Sequence, residues 1–208
     1  MLSLIKVMII GISGKAQSGK DTVSKMIAYT IWYYNYSQRL EPFGIDHYNS
    51  HQYAIWRTDW YHNSFANKLK QCLSVVLNTN TVSQFEDNEF KKSKIDWLGI
   101  TVRELLQKFG TAIRNEVCDD FWVKACLKDY DKNDNWIISD VRFKSEAKGI
   151  KDLEGIIVRV NREGAGAGNH ISEIDLDDYS FDCVINNDGN MEDLLLKVKE
   201  FCIVYKLI

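Results

Sequence analysis

The stretch "GKAQSGKDT", Gly14–Thr22, departs by one residue from the pattern G-x-x-x-x-G-K-[ST], whose backbone N–H groups wrap phosphate oxygens. Gly14, Gly19 and Lys20 stand at the required spacing, with Ser18 inside the loop. Asp21 takes the hydroxyl position, and Thr22 comes one place late. Lys20 would supply a mobile positive charge to the outer phosphates, and a helix starting near Asp21 would add its positive dipole end. The hydroxyl of the pattern gives one oxygen to Mg²⁺. A carboxylate is also a hard oxygen ligand, directly or through water, so Asp21 can keep that role. The competing readings are a plain strand-to-helix turn for the loop and a helix N-cap for Asp21.

Further stretches offer groups that such a loop would need. In "TVRELLQKFGTAIRNE", a helix at 100° per residue puts Gln107 about 40° and Arg114 about 20° from Arg103. Gly110 falls in the same stripe, where it would let a ligand approach the backbone. That face suits a phosphate and a base edge, or is a solvated helix face. In "WIISDVRFKSEA", Asp140 ends an apolar strand, where a carboxylate is costly unless it has a task such as holding Mg²⁺. Arg142 could clamp a phosphate, and Glu146 lies one turn on; an ion pair closing the strand is the plainer alternative. In "RVNREGAGAGNHISE", the glycines suit a mobile lid that swings Arg159 or Arg162 onto phosphates, with His170, Ser172 and Glu173 after the hinge. His170 could contact substrate or anchor the lid. In "VINNDG", Asn186 and Asn187 could read an adenine edge or simply make a turn and helix cap.

These residues need a scaffold, and the hydrophobic pattern supplies one. Leu4–Ile10 reads as a buried first strand; Val23, Met26, Ile27 and Ile31 then fall at helical spacing. Residues 36–52 are polar and hold the only proline, and are expected to form a loop or insert. Tyr53–Arg57 is expected as a strand, "SFANKLKQCLSVVLN" as a helix, and 79–100 as irregular. "TVRELLQKFGTAIR" is amphipathic through Val102, Leu105, Leu106, Phe109 and Ile113. Strands at "NWIISD", Ile156–Val160 and "CVI" alternate with helices after the first and the last. This order predicts an α/β fold with a mostly parallel sheet, and ligands at the carboxyl ends of its strands.

The whole chain sets limits. Its 208 residues suffice for one such domain, and 45% hydrophobic with 26% charged residues is ordinary for a soluble protein. The net charge of −3 does not call for a nucleic-acid partner. Five cysteines without a C-x-x-C are expected to be reduced thiols of a cytoplasmic protein. His47 and His51 have an i, i+4 spacing but no third ligand in pattern, which favours a solvated loop over a metal site. The apolar N-terminal run is too short to span a bilayer.

The motifs quoted, with "SFANKLK" and "FEDNEFK", occur in this order in bacteriophage-type deoxynucleoside monophosphate kinases, which the chain resembles from about residue 7 to 200. The G-K-D-T loop is typical of that group. The resemblance implies an adenylate-kinase-like P-loop NTPase fold: a parallel sheet flanked by helices, with an acceptor-binding insert and a lid. One kinase domain is expected, its core at about 1–35, 53–60, 134–160 and 180–208, its acceptor-binding region at about 36–130 and its lid at about 161–175. The implied reaction moves the ATP γ-phosphate, with Mg²⁺, to a deoxynucleoside 5′-monophosphate. Gly14, Ser18, Gly19, Lys20, Asp21, Thr22, Arg162, Asn186 and Asn187 would then hold ATP, and Asp21 and Asp140 the metal. Lys68, Arg103, Gln107, Arg114, Trp136, Asp140, Arg142, Glu146 and His170 would line the acceptor site, with Lys20, Asp140, Arg142 and Arg114 acting in catalysis. A homodimer is expected by the same analogy, with no stable nucleic-acid or membrane partner. Dephospho-coenzyme A kinase is similar at the loop and at "VINNDG", but "RELLQKFGT" and "DVRFKSE" argue against it; a phosphomevalonate kinase with a comparable loop fits less well. A nucleotide-binding switch or a nucleic-acid motor is the alternative of another class; a motor would usually show a carboxylate pair where Ser139-Asp140-Val141 has one. A non-catalytic binding module would not need Lys20, Asp140 and Arg114 together.

Overall fold

A computed structural model of the chain describes residues 8–37, 41–51, 58–166 and 171–208. They form two compact units: the residues up to Asn63 with those from Asp131 onward, and Ser64–Tyr130.

The first unit is built on a five-stranded parallel sheet of β1 (Ile9–Ser13), β2 (Trp60–Asn63), β5 (Asn135–Val141), β6 (Ile156–Asn161) and β7 (Cys183–Asn186). Its order is β2-β5-β1-β6-β7. All five residues of central β1 are buried, as expected for a parallel strand covered on both faces. One face packs on α1 (Lys20–Asn35) and α9 (Met191–Val204), where Ile10, Ile12, Ile137, Val158 and Val160 meet Val23, Met26, Ile27, Leu195 and Val198. The other face meets α7 (Lys144–Asp152): a Cβ on Gly11 would lie 2.5 Å from Ile150 Cδ1. The chain leaves β1 for α1, and the sheet continues on both sides of it. The carboxyl end of β1 is therefore the crevice where ligands of open α/β sheets sit. Two short helices, α2 (Ile45–Ser50) and α8 (Ile171–Ile174), complete this unit.

The second unit holds α3 (Ala66–Val76), a 3-10 helix at Val82–Glu86, α4 (Asn88–Lys92), the β3–β4 hairpin (Lys94–Ile95 and Ile100–Thr101), α5 (Val102–Glu116) and α6 (Phe121–Leu127). Its core is Leu69, Leu73, Phe85, Ile95, Val102 and Trp122. α5 opens on a capping box: Thr101 Oγ1 accepts from Glu104 N at 3.2 Å, and Glu104 Oε2 accepts from Thr101 N at 2.7 Å.

Several expectations are corrected. The described part of the first strand is Ile9–Ser13, later than Leu4–Ile10, because pairing with β5 and β6 carries it to the loop; residues 1–7 lie outside the described set. The strand expected at Tyr53–Arg57 lies wholly outside the described residues and is not corrected; the edge strand among those described is Trp60–Asn63, too polar to stand out by periodicity. Residues 36–52 contain α2, and 79–100 fold into a 3-10 turn, a short helix and a hairpin rather than irregular chain. α6 had no counterpart in the sequence reading. Among the described residues no helix is long and apolar enough to cross a membrane.

Candidate active site

The loop between β1 and α1 is tightly built. Gln17 and Gly19 adopt left-handed φ of 66° and 94°, which turns the chain sharply into the helix. Ser18 N donates to Lys15 O at 3.1 Å, and Val23 N to Gly19 O at 2.9 Å. A Cβ on Gly14 would fall 2.3 Å from Ser18 Oγ, and one on Gly19 2.5 Å from Asn187 Nδ2. Lys20, first residue of α1, is only 8% exposed. Gly19 is the N-cap, so Asp21 is not; it is an exposed acid of the first turn, with Thr22 half-buried beside it. Ser18 Oγ is buried and has no hydrogen-bond partner among the described residues.

Asn187 fastens this loop. Its Nδ2 donates to Ser18 O at 3.0 Å, and its N donates to Asn161 O at 2.7 Å. The amide expected to read an adenine edge is thus engaged in holding the loop against the end of β6. Asn186 ends β7, exposed, and its carbonyl accepts from Lys197 Nζ at 2.8 Å.

At the carboxyl end of β5, Asp140 is half-buried and Arg142 follows the strand. Glu146, 3% exposed, accepts through Oε2 from Arg142 N at 2.7 Å and Phe143 N at 3.1 Å. Its carboxylate therefore closes the turn into α7 and holds the backbone at Arg142. Trp136 is the second residue of β5, 5% exposed and paired with Ile9 and Tyr61. It stands four positions before Asp140, about 13 Å along the strand, so it does not join the carboxyl-edge group.

Three cations converge beside the loop. Lys15, Arg142 and Arg159 line a space of about 10 Å³ with Ser13, Gly14 and Leu176. Lys15 and Arg159 also line a cavity of about 370 Å³ with Ser18, Asn161, Arg162 and Glu163. Arg159 NH1 donates to Ser13 Oγ at 3.1 Å, and Asp177 pairs with both Lys15 and Arg159. The sequence reading did not single out Lys15, Ser13 or Asp177; their contacts join residues far apart in the chain, so spacing carries no signal of them. His170 lies outside the described residues.

In the second unit, Arg103 and Gln107 are exposed on α5, while Arg114 NH1 donates to Asp119 O at 3.0 Å. Gly110 sits at the border of this stripe and is buried: its carbonyl accepts from Trp122 Nε1 at 3.1 Å, and a Cβ there would lie 3.2 Å from Leu69 Cδ2. Its smallness serves helix packing rather than the ligand approach expected. Lys68 pairs with Asp129 at 2.7 Å; the bond raises the lysine pKa and lowers that of the acid.

A family model for deoxynucleotide monophosphate kinase matches residues 38–198. The chain belongs to that family. The matched range begins after the phosphate loop, so loop geometry and family match are separate observations. The deoxynucleotide monophosphate kinase of Enterobacteria phage T4 is 35% identical over 106 residues, and that of Escherichia phage RB69 28% over 107. Each match covers 48% of this chain and 44% of the phage protein. A protein of Acanthamoeba polyphaga mimivirus, provisionally named a deoxynucleotide monophosphate kinase, is 28% identical over 166 residues, 70% of this chain and 84% of that one.

A kinase of this family needs a phosphate donor site, and the loop fits one. A phosphate oxygen beside it could accept from Ser18 Oγ, a buried hydroxyl with no hydrogen-bond partner among the described residues. No group of three His, Cys, Asp or Glu able to hold a metal occurs among the described residues. Mg²⁺ in kinases is held by phosphates with one or two carboxylates, a role open to Asp21 and Asp140.

Proposed function

We propose that this chain phosphorylates deoxynucleoside 5′-monophosphates to diphosphates, with ATP as donor and Mg²⁺ as its metal. The observation that carries the donor half is the Gly14–Gly19 turn into α1 with Lys20 enclosed at its start. The family match supports the acceptor class.

Phosphoryl transfer asks a protein for positioning and charge neutralisation more than for covalent chemistry. The loop amides, Ser18 and Thr22 bind the donor phosphates, and Lys20 neutralises the outer ones. When bound, Mg²⁺ would supply charge compensation between phosphates, and Asp21 and Asp140 are the carboxylates that would hold it. Arg142, whose backbone N–H Glu146 holds, faces charge that builds up during transfer. Arg162, on the wall of the larger cavity, holds the donor from the side. In the second unit Arg103, Gln107 and Arg114 bind the acceptor, with Lys68 held in place by Asp129. Asn187 fixes the loop rather than reading a base.

The test is ADP release with ATP and Mg²⁺ across dGMP, dTMP, dCMP, dAMP, 5-hydroxymethyl-dCMP, the ribonucleotides and dephospho-coenzyme A. Turnover with one or more deoxynucleotides is expected. Activity with dephospho-coenzyme A alone would keep the donor site and move the acceptor class. Silence across the panel, with ATP still bound, would leave a nucleotide-binding module.

A further inference from the structure

We infer that Asp177 is an internal stand-in for a nucleotide phosphate, holding Lys15 and Arg159 beside the loop until a phosphate displaces it. The inference rests on the phosphoryl-transfer reading above. Asp177 Oδ2 meets Lys15 Nζ at 3.0 Å, and Oδ1 meets Arg159 NH2 at 3.3 Å. The two cations come from different elements. Lys15 is the second residue of the loop, and Arg159 is fixed to the end of β1 by its bond to Ser13 Oγ. One carboxylate therefore bridges two walls of the same cavity, one oxygen to each. A phosphate group binds such a pair in the same way, with more charge and more oxygens.

The segment carrying Asp177 is tethered at other points. Lys144 N donates to Asp175 Oδ2 at 2.7 Å, and Lys144 Nζ pairs with Asp178 at 2.9 Å. Leu176, 2% exposed, covers the small space next to Gly14, with Ser172 beside it. In this arrangement that space, lined by three cations, admits little more than water. A phosphate on Lys15 and Arg159 must take them from Asp177, and residues 175–178 lose their hold on the loop in the same step. Asp177 thus relieves repulsion between cations in the nucleotide-free chain and weakens nucleotide binding by the strength of its two ion pairs.

Isothermal titration with inorganic tripolyphosphate and with ATP, on the full chain, tests this in wild type, Asp177→Asn and Asp177→Glu. Asp177 is 44% exposed, so neither variant disturbs a core. Asp177→Asn is expected to tighten tripolyphosphate binding about threefold to tenfold, the scale of two partly exposed ion pairs. Asp177→Glu keeps the charge and should stay within about twofold of wild type. Tripolyphosphate should also raise amide exchange at 175–178 in wild type. Unchanged or weaker binding by Asp177→Asn would overturn the inference, as would Asp177→Glu behaving like Asp177→Asn. If wild type binds neither ligand, the phosphoryl-transfer reading itself falls and takes the inference with it; if it binds both, only the variants decide.

Discussion

At the residue scale, the loop makes the sharpest demands. Lys20 is enclosed at the helix start, where a preorganised charge acts with little water to screen it. Lys20→Ala should lower kcat at least about a hundredfold, the scale for losing one such charge at a transition state. Near-normal ADP release by a purified, Mg²⁺-replete variant would refute the loop's role. Asp21 separates two explanations. Because Gly19 is the N-cap, Asp21 contributes to the helix only through the dipole, worth about 0.3–1 kcal/mol. Asp21→Ala should therefore leave thermal stability nearly unchanged while raising the Mg²⁺ concentration needed for half-maximal rate. An unchanged metal titration would reduce Asp21 to a dipole partner.

At the scale of elements, the turn from β5 into α7 depends on one buried carboxylate. Glu146 accepts from two backbone N–H groups, and hydrogen bonds to a charged acceptor contribute about 1.5–3 kcal/mol. Glu146→Ala should lower stability by about 2–3 kcal/mol in urea titration and reduce kcat through a misplaced Arg142. Glu146→Gln, which keeps an acceptor oxygen, should recover most of the stability. A Glu146→Ala protein as active and stable as wild type would contradict this. The same turn marks what was legible in the sequence. The glycine spacing, the run into α1, the amphipathic α5 and the alternation of strands and helices were all visible, because each rests on local periodicity or on a loop that needs few residue types. Glu146 was singled out for its proximity to Asp140, but its hydrogen bonds depend on the turn closing. Asn187 was visible as a residue after the last strand, while its bond to Ser18 crosses the sheet. Asp177, Lys15 and β2 stayed hidden for the same reason: their signal lies in tertiary contact, or in an edge strand whose polar residues carry no period.

For the sheet-bearing unit as a whole, two histidines couple folding to pH. His62, on β2, lies with Nδ1 3.4 Å from Ser24 Oγ, and burial, then Lys25, pushes its pKa down to about 4. His47 is lowered too, by burial first and then by stacked His51, against a smaller opposing pull from Glu41. Its ring sits among Tyr29, Trp32 and Tyr33, with Tyr29 OH 2.8 Å from Nδ1. Burial disfavours the charged form of both in the folded chain. Below the unfolded value of about 6.5 the unfolded chain takes up their protons more readily than the folded chain, so stability falls as pH falls. For His62 the loss runs from about 6.5 down to about 4 and reaches on the order of 3 kcal/mol. The acids held low by exposed partners, such as Asp129 and Asp178, lose their contribution only as pH falls through the usual carboxylate range. Between pH 6.5 and 5 the histidines therefore dominate. Urea midpoints should drop steadily across that window in wild type. In His62→Gln, which has no proton to gain there, the slope should fall by more than half. An equally steep decline in that variant would place the pH dependence on His47, and would mean that His62 takes up its proton as readily in the folded chain as in the unfolded one.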